Sequence, residues 1–227
     1  MTDLNCIISR KIKVKSFINK AKYLCKVIKS YIFYREDKTC PFCGNLEISE
    51  LMSKFLIVKL LRCNKCGLMF RYPKDKIGNR YYYDDSMRYY EPNVAVLPTS
   101  AELTQLKNQN FKGSIYDISD KIVIIKKYIE KGNVLDYGAA WGYNLWQFIK
   151  SGFSGCGYET AKKNARFGQQ TLGLKIIYDS SQLDDLAGAF DVVFANHVLE
   201  HIPDIRDEFR RIYKLLKEGG VSMYVCP

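Results

Sequence analysis

Residues 133–144, NVLDYGAAWGYN, constrain this chain more than any other stretch. A β-prone run, Asn133 to Tyr137, enters a turn marked by Gly138 and Gly142, and an apolar segment of helical spacing follows. Strand, tight turn and helix form the unit with which α/β folds hold nucleotide-like ligands. The same alternation continues along the second half of the chain. The spacing predicts helices over 121–131, 144–151, 161–172 and 205–217, between strands over 133–137, 155–159, 174–179, 190–196 and 220–226. Strands alternating with helices imply an α/β fold with a mostly parallel, Rossmann-like sheet.

The loop chemistry narrows the ligand. A nucleoside triphosphate loop requires a Lys after its last glycine, and Tyr143 follows Gly142 here. A dinucleotide loop requires a middle glycine for close approach to a pyrophosphate, and that position is Ala140. Asp136 at the loop would also repel a doubly negative group in a weakly screened cleft. A cationic ligand without phosphate reverses that repulsion. S-adenosylmethionine carries a sulfonium and an ammonium and fits the acid. Rossmann-like folds also place an acid about 20 residues after the loop to accept from ribose hydroxyls. Glu159, ending the run GCGYE, lies 21 residues after Gly138.

Two C-x2-C pairs, Cys40/Cys43 and Cys63/Cys66, are separated by 19 residues, each followed by a glycine. This is the pattern of a four-thiolate zinc site. With all four positions filled by protein, the expected role is structural, because a module this small lacks an adequate apolar core of its own. The remaining four of the eight cysteines, Cys6, Cys25, Cys156 and Cys226, are scattered, unlike a disulfide framework. No continuous apolar h-region follows the N-terminus and no run of about 18 apolar residues occurs, so the expected location is cytoplasmic.

The net charge of +11 is uneven. Residues 1–39 hold ten Lys/Arg against three acids, a balance of +7, which leaves +4 for the rest. Val14, Phe17, Ala21, Leu24, Ile28 and Ile32 recur at helical spacing between lysines, so 7–34 reads as a basic amphipathic helix. Such a helix packs on the body, rests peripherally on an anionic membrane surface, or touches nucleic acid. The expected organisation is a helical arm over 1–39, a zinc ribbon over 40–73, a Tyr-rich linker or lid over 74–120, and the Rossmann-like domain over 121–227. The tyrosine cluster YYYDDSMRYYEP (81–92) is packing, or an aromatic lid that stabilises a sulfonium.

The motifs CPFCG, LLRCNKCGLMFRYP, VLDYGAAWG and FDVVFANHVLEHIPD, with the tyrosine cluster, together resemble the class I S-adenosylmethionine-dependent methyltransferases, among them members with an N-terminal zinc ribbon. The resemblance covers roughly 40–227. It implies that Asp136, Gly138 and Gly142, with Tyr137 and Ala139, line the methionine end of the donor. It likewise implies that Glu159 holds the ribose, that Asn196 closes the far side, and that the turn around Ser181 to Leu183 meets the adenine. The family sheet has seven strands, and the fifth ends near VSMYVCP, so the domain reads as C-terminally truncated. The implied activity is methyl transfer to the O or C of a small molecule or glycan precursor. An RNA methyltransferase and an inactive zinc- and cofactor-binding fragment are the alternatives. The oligomeric state is open.

His197-Val-Leu-Glu200-His201 also matches the zinc-peptidase pattern H-x-x-E-H. Its position directly after a strand, with Pro203 close behind, leaves no room for the required helix. His201 is the candidate general base for a hydroxyl acceptor, the competing reading being a residue that packs or caps this turn. Related quinone O-methyltransferases resemble this site and hold a divalent metal at an E-x-x-E-H set, in which His197 here replaces the first acid.

Overall fold

The computed structural model describes residues 38–54, 58–72, 96–202 and 205–226, together with Cys25 and Ile28. The arm over 1–37 otherwise lies outside the described residues, as does the tyrosine cluster at 81–92. The chain divides into two units, Met1–Gly78 and Asn79–Pro227.

In the first unit, β1 (Ile48–Lys54), β2 (Val58–Cys63) and β3 (Met69–Tyr72) form an antiparallel sheet in that order. Among its described residues, Leu61, Tyr72, Cys40 and Cys63 are buried.

The second unit is a doubly wound sheet. Its helices are α1 (Ser100–Asn108), α2 (Ser119–Lys126), α3 (Tyr143–Lys150), α4 (Lys162–Leu172), α5 (Ser181–Asp184) and α6 (Ile205–Leu215). Its strands are β4 (Asn133–Tyr137), β5 (Ser154–Tyr158), β6 (Ile176–Ile177), β7 (Phe190–Asn196) and β8 (Leu216–Val225). They are all parallel in the order β6-β5-β4-β7-β8. Strand order therefore reverses between β4 and β7, and ligands of such sheets bind at the carboxyl ends of the strands at that switch point.

Burial on both faces explains the apolar runs in these strands. Val134, Val192 and Phe194 face a core shared with Leu103, Phe111, Ile122, Ile125, Leu145 and Phe148. Leu135, Val193 and Ala195 alternate to the other face and pack on Leu183, Ile212 and Leu215. Sheet edges differ from expectation where turn chemistry intervenes. β6 has only two residues, because Asp179 turns back to accept from Ser181 N and Oγ at 3.0 and 2.9 Å. β8 starts at Leu216, earlier than expected, through a bridge from Phe190 to Leu216 with an irregular register before Val192.

The stretch expected as a linker over 74–120 behaves differently where it is described. Phe111 is fully buried against Trp141 and Trp146, with ring centroids 5.9 and 5.2 Å away. Gln147 of α3 fastens the same segment. Its Nε2 donates to Tyr116 O at 2.8 Å and its Oε1 accepts from Ile118 N at 3.1 Å. Residues 100–126 thus belong to the core of the sheet unit. Sequence spacing does not reveal this, because Asn110 and Phe111 interrupt the helical pattern with positive φ values of 51° and 62°.

Candidate functional site

In the first unit, Cys40 to Gly44 and Cys63 to Gly67 make two matching knuckles. Gly44 N donates to Cys40 O and Gly67 N to Cys63 O, each at 3.0 Å. Both glycines take positive φ, 71° and 76°, a backbone that other residues adopt only with strain. Cys43 N donates to Cys40 Sγ and Cys66 N to Cys63 Sγ, both at 3.5 Å. The four Sγ atoms lie within 4.8 Å of one another, with Cys40–Cys66 at 3.6 Å and Cys43–Cys63 at 3.5 Å. A tetrahedron with metal–sulfur bonds of about 2.3 Å has sulfur–sulfur edges of about 3.8 Å. The cluster therefore has the dimensions of a four-thiolate ion site. Burial pushes the Cys63 thiol up, but the N–H groups of Cys66 and Lys65 and the neighbouring sulfurs draw it below the ordinary thiol range.

In the second unit, the residues expected to hold a ligand converge at the switch point. β4 ends at Tyr137, and the chain reverses through Gly138 (φ 82°), Ala140 (φ 48°) and Gly142 (φ 92°) into α3. Gly138 is fixed by crowding as well as by φ, since a Cβ there would meet Val198 Cγ2 at 2.3 Å. Ala140 holds its left-handed backbone without being glycine, a strain of the kind that clusters at functional sites.

The loop N–H groups are engaged within the protein. Gly138 N and Ala139 N donate to Tyr158 O at 2.8 and 2.9 Å, and Gly142 N donates to Ala139 O at 2.7 Å. Ala140 N donates to Glu159 Oε2 at 2.9 Å, while Ala161 N donates to Glu159 Oε1 at 2.6 Å. A pyrophosphate cradle needs such donors aimed outward, so this loop is ill suited to phosphates. Glu159 ends the strand next to the loop with both oxygens engaged. The two N–H bonds hold its carboxylate against the loop.

Asp136 was expected at the mouth of the loop. Instead it is fully buried, with its carboxylate turned onto the first turn of α3. Oδ2 accepts from Leu145 N at 3.1 Å and Oδ1 from Asn144 Nδ2 at 3.4 Å. Burial raises its carboxyl to about 7, the two hydrogen bonds oppose this, and the charge of Glu159 adds to it. The charge of Glu159, another acid, thus acts on Asp136. Burial also pushes the Tyr143 hydroxyl far up, with Asp136, Tyr116 and Glu159 adding to the effect. Such an electronegative site favours a cationic guest and resists an anionic one. The carboxyl therefore pins the first turn of α3.

The side chain of Tyr137 points to the opposite face, where its ring lies 5.2 Å from that of Tyr158 and its hydroxyl bonds Glu208 Oε1. Ala139 is fully buried in the loop, and Asn196 ends β7 beside β8. Ser181 to Leu183 form the short helix after β6.

His197, Glu200 and His201 follow β7. The backbone turns at His197 (φ 55°), and only Leu199–His201 are helical, as a single 3-10 turn. The two histidines therefore do not share the helix face that a zinc peptidase requires. Among the described residues the four cysteines are the only group of three or more potential ligands gathered on one point, so His197, Glu200 and His201 are not brought together as a metal set. His197 Nδ1 lies 3.3 Å from Glu200 Oε1. Sequence reasoning singled out neither this pairing nor the contact of Val198 with Gly138. Both depend on how the chain turns at residue 197.

A family profile described as "Methyltransferase domain" matches residues 106–227. The ubiquinone biosynthesis O-methyltransferase of Paramagnetospirillum magneticum is 33% identical over 95 residues, 40% of this chain and 38% of that protein. Its counterpart from Chromobacterium violaceum is 34% identical over 94 residues, 38% of this chain and 40% of that protein. The matched region thus spans only about two fifths of the curated relatives' length. Among solved structures, Streptomyces venezuelae DesVI is similar at a TM-score of 0.44 and 18% identity, over 57% of this chain and 58% of that one. With its Rossmann-like parallel sheet and the matched region covering more than half its length, the chain belongs to the S-adenosylmethionine-dependent methyltransferase family.

Proposed function

We propose that this protein transfers a methyl group from S-adenosylmethionine to a hydroxyl of a small-molecule or glycan-precursor acceptor. The observation that carries this reading is the electrostatics of the loop. Two acids, one of them raised to about 7, stand at the switch point, and the loop N–H groups already have acceptors. When bound, S-adenosylmethionine supplies an electrophilic methyl on a positive sulfur, and the field of Asp136 and Glu159 favours that charge. Asp136, Gly138, Ala139 and Gly142 hold the methionine end, and Asn196 closes the far side. Tyr137 contributes its backbone, since its side chain is engaged elsewhere. Glu159, at the end of the strand next to the loop, holds the ribose. The chain's main catalytic task is to hold donor and acceptor in line and exclude water.

Oxygen rather than carbon is favoured as the acceptor atom because the curated relatives are named as O-methyltransferases. The four cysteines bind a structural zinc ion that orders the first unit. A peripheral membrane role for 7–34 and a cytoplasmic location remain part of this reading. No helix among the described residues is long and apolar enough to cross a membrane.

Tritiated methyl donor, incubated with the protein and separate pools of phenols, sugar nucleotides and RNA, tests the assignment. Label in phenols or sugar nucleotides is expected. Label confined to RNA would establish the alternative, and label in none would leave a binding protein.

A further inference from the structure

The turn after β7 carries a pairing that the donor site does not use. His197 sits at the carboxyl end of β7, the strand beside β4, and its N–H donates to Val225 O at 2.8 Å. That bond helps hold the backbone at φ 55°, which is uncommon for any residue but glycine. The next residue, Val198, packs against Gly138 of the loop, so His197 adjoins the switch point. Its side chain is 48% exposed, open to an incoming molecule, while that of Glu200 is only 22% exposed. Glu200 Oε1 lies 3.3 Å from His197 Nδ1. Cys226 also faces Glu200, where burial first, and then the carboxylate, push the thiol up and keep it protonated. Glu200 therefore faces Nδ1 of His197 on one side and the Cys226 thiol on the other.

We infer that His197, oriented by Glu200, is the general base that deprotonates the acceptor hydroxyl. This rests on the methyl-transfer reading above and names the group that completes it. A carboxylate at Nδ1 fixes the neutral imidazole with its proton on that nitrogen, leaving Nε2 as the acceptor. The acceptor O–H bond breaks and its proton passes to Nε2. The oxygen electron pair forms the new bond to the methyl carbon, and the methyl–sulfur bond breaks with its pair returning to sulfur, so the sulfonium becomes a thioether. The imidazolium then releases its proton to water. Glu200 is a positioning residue, and His197 takes the role expected of His201.

The test uses the full chain, whose only histidines are His197 and His201. Two-bond 1H–15N spectra resolve both rings, and a His201→Gln sample assigns them. At neutral pH the His197 ring is expected to carry its proton on Nδ1, and Glu200→Gln should return it to mainly Nε2–H. Turnover is read on any acceptor that the wild-type protein labels in the pools above. His197→Gln is expected to lower kcat about 100-fold or more, and Glu200→Gln about 10-fold, with the KM for the donor unchanged in both. An Nε2–H ring at His197 in the wild-type protein, or unchanged kcat in His197→Gln, would overturn the assignment. Calorimetry with S-adenosylmethionine on the same samples keeps the two levels apart. Absence of donor binding in the wild-type protein refutes the methyl-transfer reading itself, whereas retained binding with unaffected turnover refutes only His197.

Discussion

Replacing Asp136 by asparagine probes the buried acid directly. Asp136 is fully buried and its carboxyl is raised from 3.8 to about 7. Between those values the folded protein holds a proton that the unfolded chain releases. Stability must therefore fall as pH rises through this window, and level off above about 7. Each unit of pKa difference corresponds to about 1.4 kcal/mol, so the full displacement is worth about 4 kcal/mol and the stretch from pH 5 to 7 about 2 kcal/mol, since the group is half titrated at pH 7. The amide that replaces the carboxyl does not titrate, and its oxygen can still accept from Leu145 N. The buried Asn144 Oδ1, which has no partner among the protein atoms, becomes available to the new NH2 group. The assay is urea unfolding of wild type and Asp136→Asn in parallel at pH 5, 6, 7 and 8. Taking the difference between the two proteins cancels every other titrating group, the cysteine cluster included. The wild type should lose about 2 kcal/mol relative to the variant by pH 7 and little more by pH 8. A flat difference would mean that Asp136 is ionised throughout. In that case the bonds from Leu145 and Asn144 outweigh burial, and the electrostatic reasoning fails.

Further outcomes follow from particular contacts. Gly138→Ala should destabilise the fold by about 2–4 kcal/mol, from positive φ and overpacking together. Adding Val198→Ala should recover only the overpacking part, because it leaves φ 82° unchanged. Phe111→Ala should cost about 3–5 kcal/mol in urea unfolding, since the ring is fully buried between two tryptophans. A linker residue would cost almost nothing. Cys63→Ser should remove one zinc per chain by elemental analysis and make the first unit susceptible to limited proteolysis. Retained stoichiometric zinc would contradict the four-thiolate site.

The alternation of helices and strands after residue 132 was legible because both faces of the sheet are buried. That gives runs such as Phe190–Asn196, in which every residue except Asp191 and Asn196 is apolar and buried. Strands β4 and β7 fall where the spacing puts them for this reason. The short β6 and the early β8 were not legible, since a side-chain turn at Asp179 and a register break at Phe190 set their limits. The gathering of the four cysteines follows from spacing, because two matched knuckles can reach one ion. The depth of Asp136 did not follow from spacing. The same Asp at a strand end can face solvent or the next helix, and only the bonds from Asn144 and Leu145 decide it. The attachment of residues 100–120 to the sheet was not legible because it is three-dimensional, through the Phe111 ring and the Gln147 amide.

Titration calorimetry with S-adenosylmethionine and with NAD, run side by side at pH 8 where Asp136 is ionised, addresses the cationic-ligand assignment most directly. One site per chain for S-adenosylmethionine is expected, weakening as the pH is lowered below 7, with no heat from NAD. Tighter binding of NAD would contradict it.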